Sequence, residues 1–173
     1  MRQHIVRALT FTFVTLLVLG AAPSARAGGE APGPQAADLE KLKSLAGEWE
    51  GKPGSNPGTR ATYEIVSNGT AVVETLSEGD ETMVTVYHAD GDRLAMTHYC
   101  GTGNQPRMRS EKPAAGETLK FTFVDVTNLA SPEAGHMRSL AIRIEESDQI
   151  TQTWTWREKG SEQQKVIELV RKR

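Results

Sequence analysis

The sequence predicts an all-β fold: an antiparallel up-and-down barrel of eight to ten strands, preceded by one short helix. Three observations carry that expectation. Beyond Gly47-Glu48-Trp49 no helical period recurs, the rest of the chain divides into short runs of alternating polar and apolar residues, and Asn68-Gly69, Asp90-Gly91 and other glycine-rich turns separate the runs. Period-two alternation marks a half-buried strand, and Asn-Gly and Asp-Gly are the strongest two-residue hairpin signals. Short strands joined in succession by short turns best satisfy their edge hydrogen bonds by closing on themselves.

The first 27 residues stand apart. Arg2, His4 and Arg7 precede an apolar run from Ala8 to Ala22, and small residues ending in Ala25-Arg26-Ala27 follow. This is the pattern of a cleaved secretory signal peptide, and it predicts a periplasmic or secreted protein cut after Ala27. No second apolar run follows, so no stable membrane insertion is expected once the leader is gone. Cleavage leaves 146 of the 173 residues, enough for one domain with a core of its own. The leader carries three arginines and no acid, so its removal takes the formal charge from −2 to −5. A mildly acidic domain has little electrostatic reason to bind nucleic acid. One cysteine, Cys100, excludes an internal disulfide, leaving stability to burial and strand pairing.

Residues 28–37 are rich in Gly, Pro and Ala and read as a flexible tether, with the barrel domain spanning 38–173. Asp38 is placed to cap a short helix, Leu39, Leu42 and Leu45 fall on one face of it, and Gly47 ends it. Strands are expected from Trp49, then over residues 61–66, 71–76, 82–89, 93–100, 105–111, 119–126, 137–144, 149–157 and 164–170. Two connections, residues 101–104 and 127–135, exceed what hairpins need, and loops of that kind are where barrels place specificity.

Residues two apart share one face of a strand, so each run has a dry set. Tyr63 with Ile65, Leu119 with Phe121 and Phe123, Leu140 with Ile142 and Ile144, and Ile150 with Trp154 and Trp156 form such sets. Polar residues fall in phase with them: Asp125 continues the phenylalanine row, His136 and Arg138 precede Leu140, Gln152 lies between Ile150 and Trp154, and His98 and Cys100 continue from Leu94 and Met96. A buried polar group without a partner costs about 1–3 kcal/mol, so these residues should pair with each other, with water or with a ligand. Asp125, His136 and Arg138 flank the long loop, and a position at the barrel rim accounts for all three.

The residues offer several chemistries. His98 and Cys100 point the same way, roughly 7 Å apart, a spacing that can hold a soft metal if a third ligand arrives. A single histidine, His98 or His136, could alternatively hold a haem. A nucleophilic Cys100 would need a base aimed at it, and His98 lies beside it instead. Arg107 and Arg109 share a face and could fork an anionic head group, although a solvated outer face with Met108 turned inward is the favoured reading. There is no Gly-rich phosphate loop and no His-Glu-x-x-His.

The stretch Leu45-Ala46-Gly47-Glu48-Trp49-Glu50-Gly51, a helix end followed by Gly-x-Trp on the first strand, resembles the opening of calycins and of bacterial lipocalin-like domains of unknown function. It is more loosely similar to fatty-acid-binding proteins and nitrobindins. The run from Tyr87-His88-Ala89-Asp90-Gly91-Asp92 through His98-Tyr99-Cys100 to Arg107-Met108 resembles uncharacterised exported bacterial proteins of that group. The resemblance implies a barrel whose floor is closed by Trp49, with a late arginine, Arg157 or Arg171, stacked on it. The fatty-acid-binding Arg-x-Tyr site does not occur after Gln149, and Lys52-Pro53-Gly54 interrupts the glycine series of nitrobindins.

Together these readings favour a binding protein over an enzyme, with no catalytic residue, resident metal or cofactor expected. The expected ligand is a small apolar or amphipathic molecule in a pocket lined by Tyr63, Met96, His98, Phe121, Phe123, Arg138, Leu140, Ile142, Gln152, Trp154 and Trp156. Two alternatives stand beside it: a haem or metal barrel using His98 or His136, and a structural or interaction module whose interior is filled by its own side chains.

Overall fold

A computed structural model describes residues 34–111, 116, 118–146 and 148–173. The expected leader and residues 28–33 of the expected tether lie outside these. One helix, α1 (Pro34–Lys43), leads into ten strands: β1 (Gly47–Gly51), β2 (Arg60–Val66), β3 (Ala71–Glu78), β4 (Glu81–Asp90), β5 (Arg93–Tyr99), β6 (Gln105–Ser110), β7 (Thr118–Thr127), β8 (His136–Glu146), β9 (Gln149–Glu158) and β10 (Ser161–Arg171). Each strand pairs antiparallel with its neighbours in sequence, and β1 pairs with β10 to close the barrel. The fold class is the one the alternation predicts.

Helix α1 begins four residues before Asp38, at Pro34, whose fixed φ suits a first turn. Asp38 is therefore inside the helix, where Lys41 Nζ bonds its carboxylate at 3.2 Å. Leu39, Leu42 and Leu45 are buried in the barrel core, so the helix covers one end. The floor of that end is Trp49, fully buried, with Nε1 donating to Leu45 O at 2.8 Å. Of the two arginines, Arg171 is the one over the ring, its guanidinium carbon 4.3 Å from the centroid. The same group donates to Ala46 O and Ser44 O at 2.8 and 3.0 Å, capping carbonyls that follow the helix.

Turn geometry departs from expectation in one place. Asn68-Gly69 is part of a four-residue connection between the paired Val66 and Ala71, with Ser67, Asn68 and Gly69 all at positive φ. Elsewhere two-residue turns hold: Gly91-Asp92 joins Asp90 to Arg93, and Gly79-Asp80 joins Glu78 to Glu81.

Two bulges alter the sequence-derived rows. On β7, Val124 has no partner between Phe123 and Asp125, so Asp125 leaves the dry row and pairs on the outside with Arg107. Arg109 pairs with Asp90 in the same manner, and Met108 is buried, so the outer-face reading of these arginines holds. On β8, Arg138 is the extra residue between Met137 and Ser139, so Met137, opposite Trp156, takes the inward place.

The wall is uneven. Strand β1 reaches β10 only over Leu169–Arg171, so the first half of β10 has no strand on that side. The loop after β1 covers part of this edge: Asn56 Nδ2 donates to Val166 O at 3.2 Å, and Asn56 Oδ1 accepts from Glu168 N at 2.8 Å. Gly51 permits the approach, since a Cβ there would lie 1.7 Å from Asn56 O. Farther along, Lys165 Nζ donates to Glu78 Oε2 and bridges β10 to β3.

Candidate functional site

Most of the interior is solid. Tyr63, Met96, Phe121, Leu140 and Ile142, expected as pocket walls, are fully buried in a continuous core and do not border the open volume. Their rings and branched chains meet at the axis of a narrow barrel and fill it, as close packing demands. Phe123 and Arg138 are likewise absent from the cavity wall. The Arg138 guanidinium lies 3.9 Å over the Phe123 ring and the His136 imidazole 5.3 Å from it, a stack beside the bulge. His136 Nδ1 bonds Ala134 O at 2.9 Å.

The open volume, about 290 Å³, lies at the end opposite α1, beside the gap between β10 and the β3–β4 hairpin. Its apolar wall is Leu76, Met83, Met137, Trp154, Trp156 and Ile167. Its polar lining comprises Glu78, Glu81, Gln163, Gln164 and Lys165 on the strands, with Cys100 and Thr102 at the β5–β6 turn and His98 next to Trp154. Three of the expected lining residues, His98, Trp154 and Trp156, are thus gathered here. Loops around this end are tied together: Asn128 Nδ2 donates to Gly103 O at 2.6 Å, Asn104 Nδ2 to Gly135 O at 2.9 Å, and Lys159 N to Glu133 O at 3.1 Å. Gly135 has no room for a Cβ, which would sit 2.0 Å from Trp156 Cζ2, so the loop packs flat against the indole that lines the cavity.

His98 is buried and packed on Trp154, with ring centroids 4.6 Å apart. Its Nδ1 is 2.9 Å from Thr85 Oγ1, while Nε2 is buried with no hydrogen-bond partner among the described residues. Desolvation holds its pKa down to about 4, so the ring is neutral at pH 7.

Beneath the cavity lies a polar network in which Tyr63 and Gln152, expected as pocket walls, instead join a buried carboxylate. Glu74 is fully buried; Tyr87 Oη donates to its Oε2 at 2.6 Å and Gln152 Nε2 donates to its Oε1. The same Gln152 nitrogen donates to Tyr63 Oη at 2.7 Å, and Trp154 Nε1 donates to Gln152 Oε1 at 2.9 Å. Burial pushes the Glu74 carboxyl upward, and the bonds from Tyr87, Gln152 and Tyr63 oppose that shift. The same burial, beside the Glu74 charge, pushes the Tyr63 and Tyr87 phenols well above their ordinary range. Glu74 falls in phase with buried Val72 and Leu76 on β3, a signal that was present in the sequence. Its partners come from β2, β4 and β9 and carry no local signature.

Among the described residues no group of three metal-ligating side chains converges. Of the cavity-lining residues only Lys165 carries a positive charge, and it is bonded to Glu78. The site can therefore offer apolar area, one neutral imidazole and a weakly acidic mouth.

No protein-family model and no curated protein matches the chain. Among solved structures the chain is similar to the crystal structure of Rv2717c from M. tuberculosis, with a TM-score of 0.55 over 80% of this chain and 99% of that one, at 16% sequence identity. At that identity the likeness speaks for the fold alone: a closed antiparallel barrel that fits a calycin-like architecture loosely.

Proposed function

We propose that this protein is an exported binding protein for a small apolar or amphipathic molecule, held in the cavity between Trp154, Trp156 and the β3–β4 hairpin. One observation carries the reading. Above a core of tightly buried side chains lies a cavity walled by two indoles and two methionines, beside an imidazole whose buried Nε2 has no partner among the described residues. Its size, about 290 Å³, falls at the low end of the roughly 300–1,000 Å³ of small-molecule pockets. Apolar walls supply affinity at about 25 cal/mol per Å² buried, while His98 supplies orientation. The solid floor weakens the case for a long lipid chain.

A haem held by His98 is the second reading, since a neutral imidazole with a free nitrogen is also a metal ligand. His136 does not border the cavity. Native against denaturing mass spectrometry of protein purified from its own exported fraction tests the first reading. A non-covalent mass that disappears on denaturation, on a chain beginning at Gly28, is expected. A Soret band in the purified protein, abolished by His98→Ala, would replace the first reading with the second. A chain that retains its leader would refute export.

A further inference from the structure

We propose that the cavity selects an amphipathic organic cation, its apolar body seated against Trp154, Trp156 and the two methionines and its protonated amine turned to Glu81 at the mouth. This rests on the cavity being the binding site.

The charges of the lining set the sign. Among the described lining residues Glu78, Glu81 and Lys165 are ionic, and His98 is neutral at pH 7. Lys165 Nζ is bonded to Glu78 Oε2 across the gap, and that pair cancels. The Glu81 side chain has no hydrogen bond or ion pair with any described residue. One uncompensated negative charge therefore remains at the mouth.

The strand register makes that charge costly. Glu78 and Glu81 are directly opposite each other where β3 turns into β4, and like charges facing across paired strands are destabilising. Lys165 relieves one of them; a cation entering the mouth relieves the other. The Glu81 carboxylate also lies at the cavity itself. A Cβ on Gly101, another lining residue, would be 3.2 Å from Glu81 Oε2 and 3.3 Å from its Cδ. Gly101 has no positive φ, so what its missing side chain provides is room for this carboxylate.

The wall suits a cation as well. Indole attracts a cation more strongly than the other aromatic side chains, and the attraction grows as water is excluded. Both indoles are held in place, Trp154 by its bond to Gln152 Oε1 at 2.9 Å and Trp156 by the close approach of Gly135. An anionic ligand would meet Glu81 with the lining cation already taken. A neutral ligand of the same shape would gain the apolar contacts alone.

Phenylbutylammonium, phenylbutanol and phenylbutanoate share one skeleton and are transparent where indole is excited, so tryptophan fluorescence reports their binding. At low salt the ammonium should bind at least about fivefold tighter than the alcohol, the alcohol tighter than the carboxylate, and added salt should narrow the difference. Glu81→Gln, an exposed change that leaves the core untouched, should bring the ammonium and the alcohol to within about twofold. Glu64→Gln, on the outer face of β2, should leave the preference as it is. Lys165→Gln frees Glu78 and should widen it. Equal binding of ammonium and alcohol to the wild type overturns the cation rule and leaves the cavity as the site. So does a preference that survives Glu81→Gln, falls equally in Glu64→Gln, or narrows in Lys165→Gln. Failure of all three probes to bind, or binding that Trp156→Leu does not weaken, overturns the cavity reading itself.

Discussion

Acidification should weaken the fold through His98, and by an amount the site geometry sets. The ring is buried against Trp154, and its folded-state pKa of about 4 lies below the ordinary 6.5. A histidine depressed in the folded state binds its proton more readily when unfolded, so its contribution is complete above pH 6.5 and is lost as pH falls toward 4. Between pH 7.5 and 5.0 these values correspond to a loss of about 2 kcal/mol. For a domain of this size that is about 6–8 °C in Tm. Glu74 works in the opposite sense. Its folded-state pKa is raised, so its contribution is complete below its unfolded value and is lost as pH rises through the folded one. The carboxyls of Glu48, Asp125 and Glu168 are held low by Lys172, Arg107, and Ser55 with Lys52, and their contributions are lost only below the ordinary carboxylate range.

The clean measurement is a difference. Wild type and His98→Asn, which keeps a polar atom near the Nδ1 position, are melted at both pH values and followed by circular dichroism. Glu74 is common to both proteins and cancels to first order. The wild type should lose about 2 kcal/mol more than the variant. Parallel losses in the two proteins would show that the ring is already solvated, and would remove the buried neutral imidazole on which the site argument depends.

Gly135→Ala should place a methyl inside the Trp156 ring position, costing about 1–3 kcal/mol and red-shifting tryptophan emission as the indole is displaced from the cavity wall; an unchanged emission spectrum would contradict the packing. Arg171→Lys should destabilise by about 1–2 kcal/mol in urea unfolding, because an ammonium cannot both stack on Trp49 and reach the Ser44 and Ala46 carbonyls. Arg107→Ala removes an exposed, solvent-screened ion pair and should leave the urea midpoint unchanged within error; a clear drop would mean that the bulge at Val124 depends on it. The combined variant Tyr63→Phe, Glu74→Leu, Tyr87→Phe, Gln152→Leu should fold within about 1–2 kcal/mol of wild type, or above it, in urea unfolding. A barrel that fails to fold would make the network structural.

The strands were legible because each carries its own alternation, which needs no knowledge of its partner. Even the weak run at Gln105–Ser110 resolved correctly, with Met108 inward and Arg107 and Arg109 outward. The bulges were not legible. Val124 and Arg138 are ordinary strand residues, and an extra residue is defined only against the partner strand, so Asp125 and Arg138 were read in the wrong phase. The site divided in the same way. His98, Trp154 and Trp156 could be placed on dry rows, whereas the open volume beside them follows from the short β1, which leaves half of β10 unpaired. Gln163, Gln164 and Lys165 looked like an unremarkable polar strand because nothing local records a missing neighbour. Glu74 was visible as an acid on a row with Val72 and Leu76. Its meaning required Tyr63, Tyr87 and Gln152, the last 78 residues away.

The Glu74 network bears on what the barrel is for. Leucine or methionine at these positions would fill the same space without desolvating a carboxyl, and apolar replacements of buried charged clusters are commonly neutral or stabilising. A barrel serving only as a scaffold would therefore gain nothing from Glu74, and one that stored a greasy ligand without regard to its polar end would gain nothing either. What the network supplies is orientation: donors converge on one carboxyl, Gln152 turns its oxygen to the Trp154 indole, and the indole so held is a wall of the cavity. Polar groups buried at a cost in stability and ending at an open site are most simply explained by discrimination between ligands of the same shape.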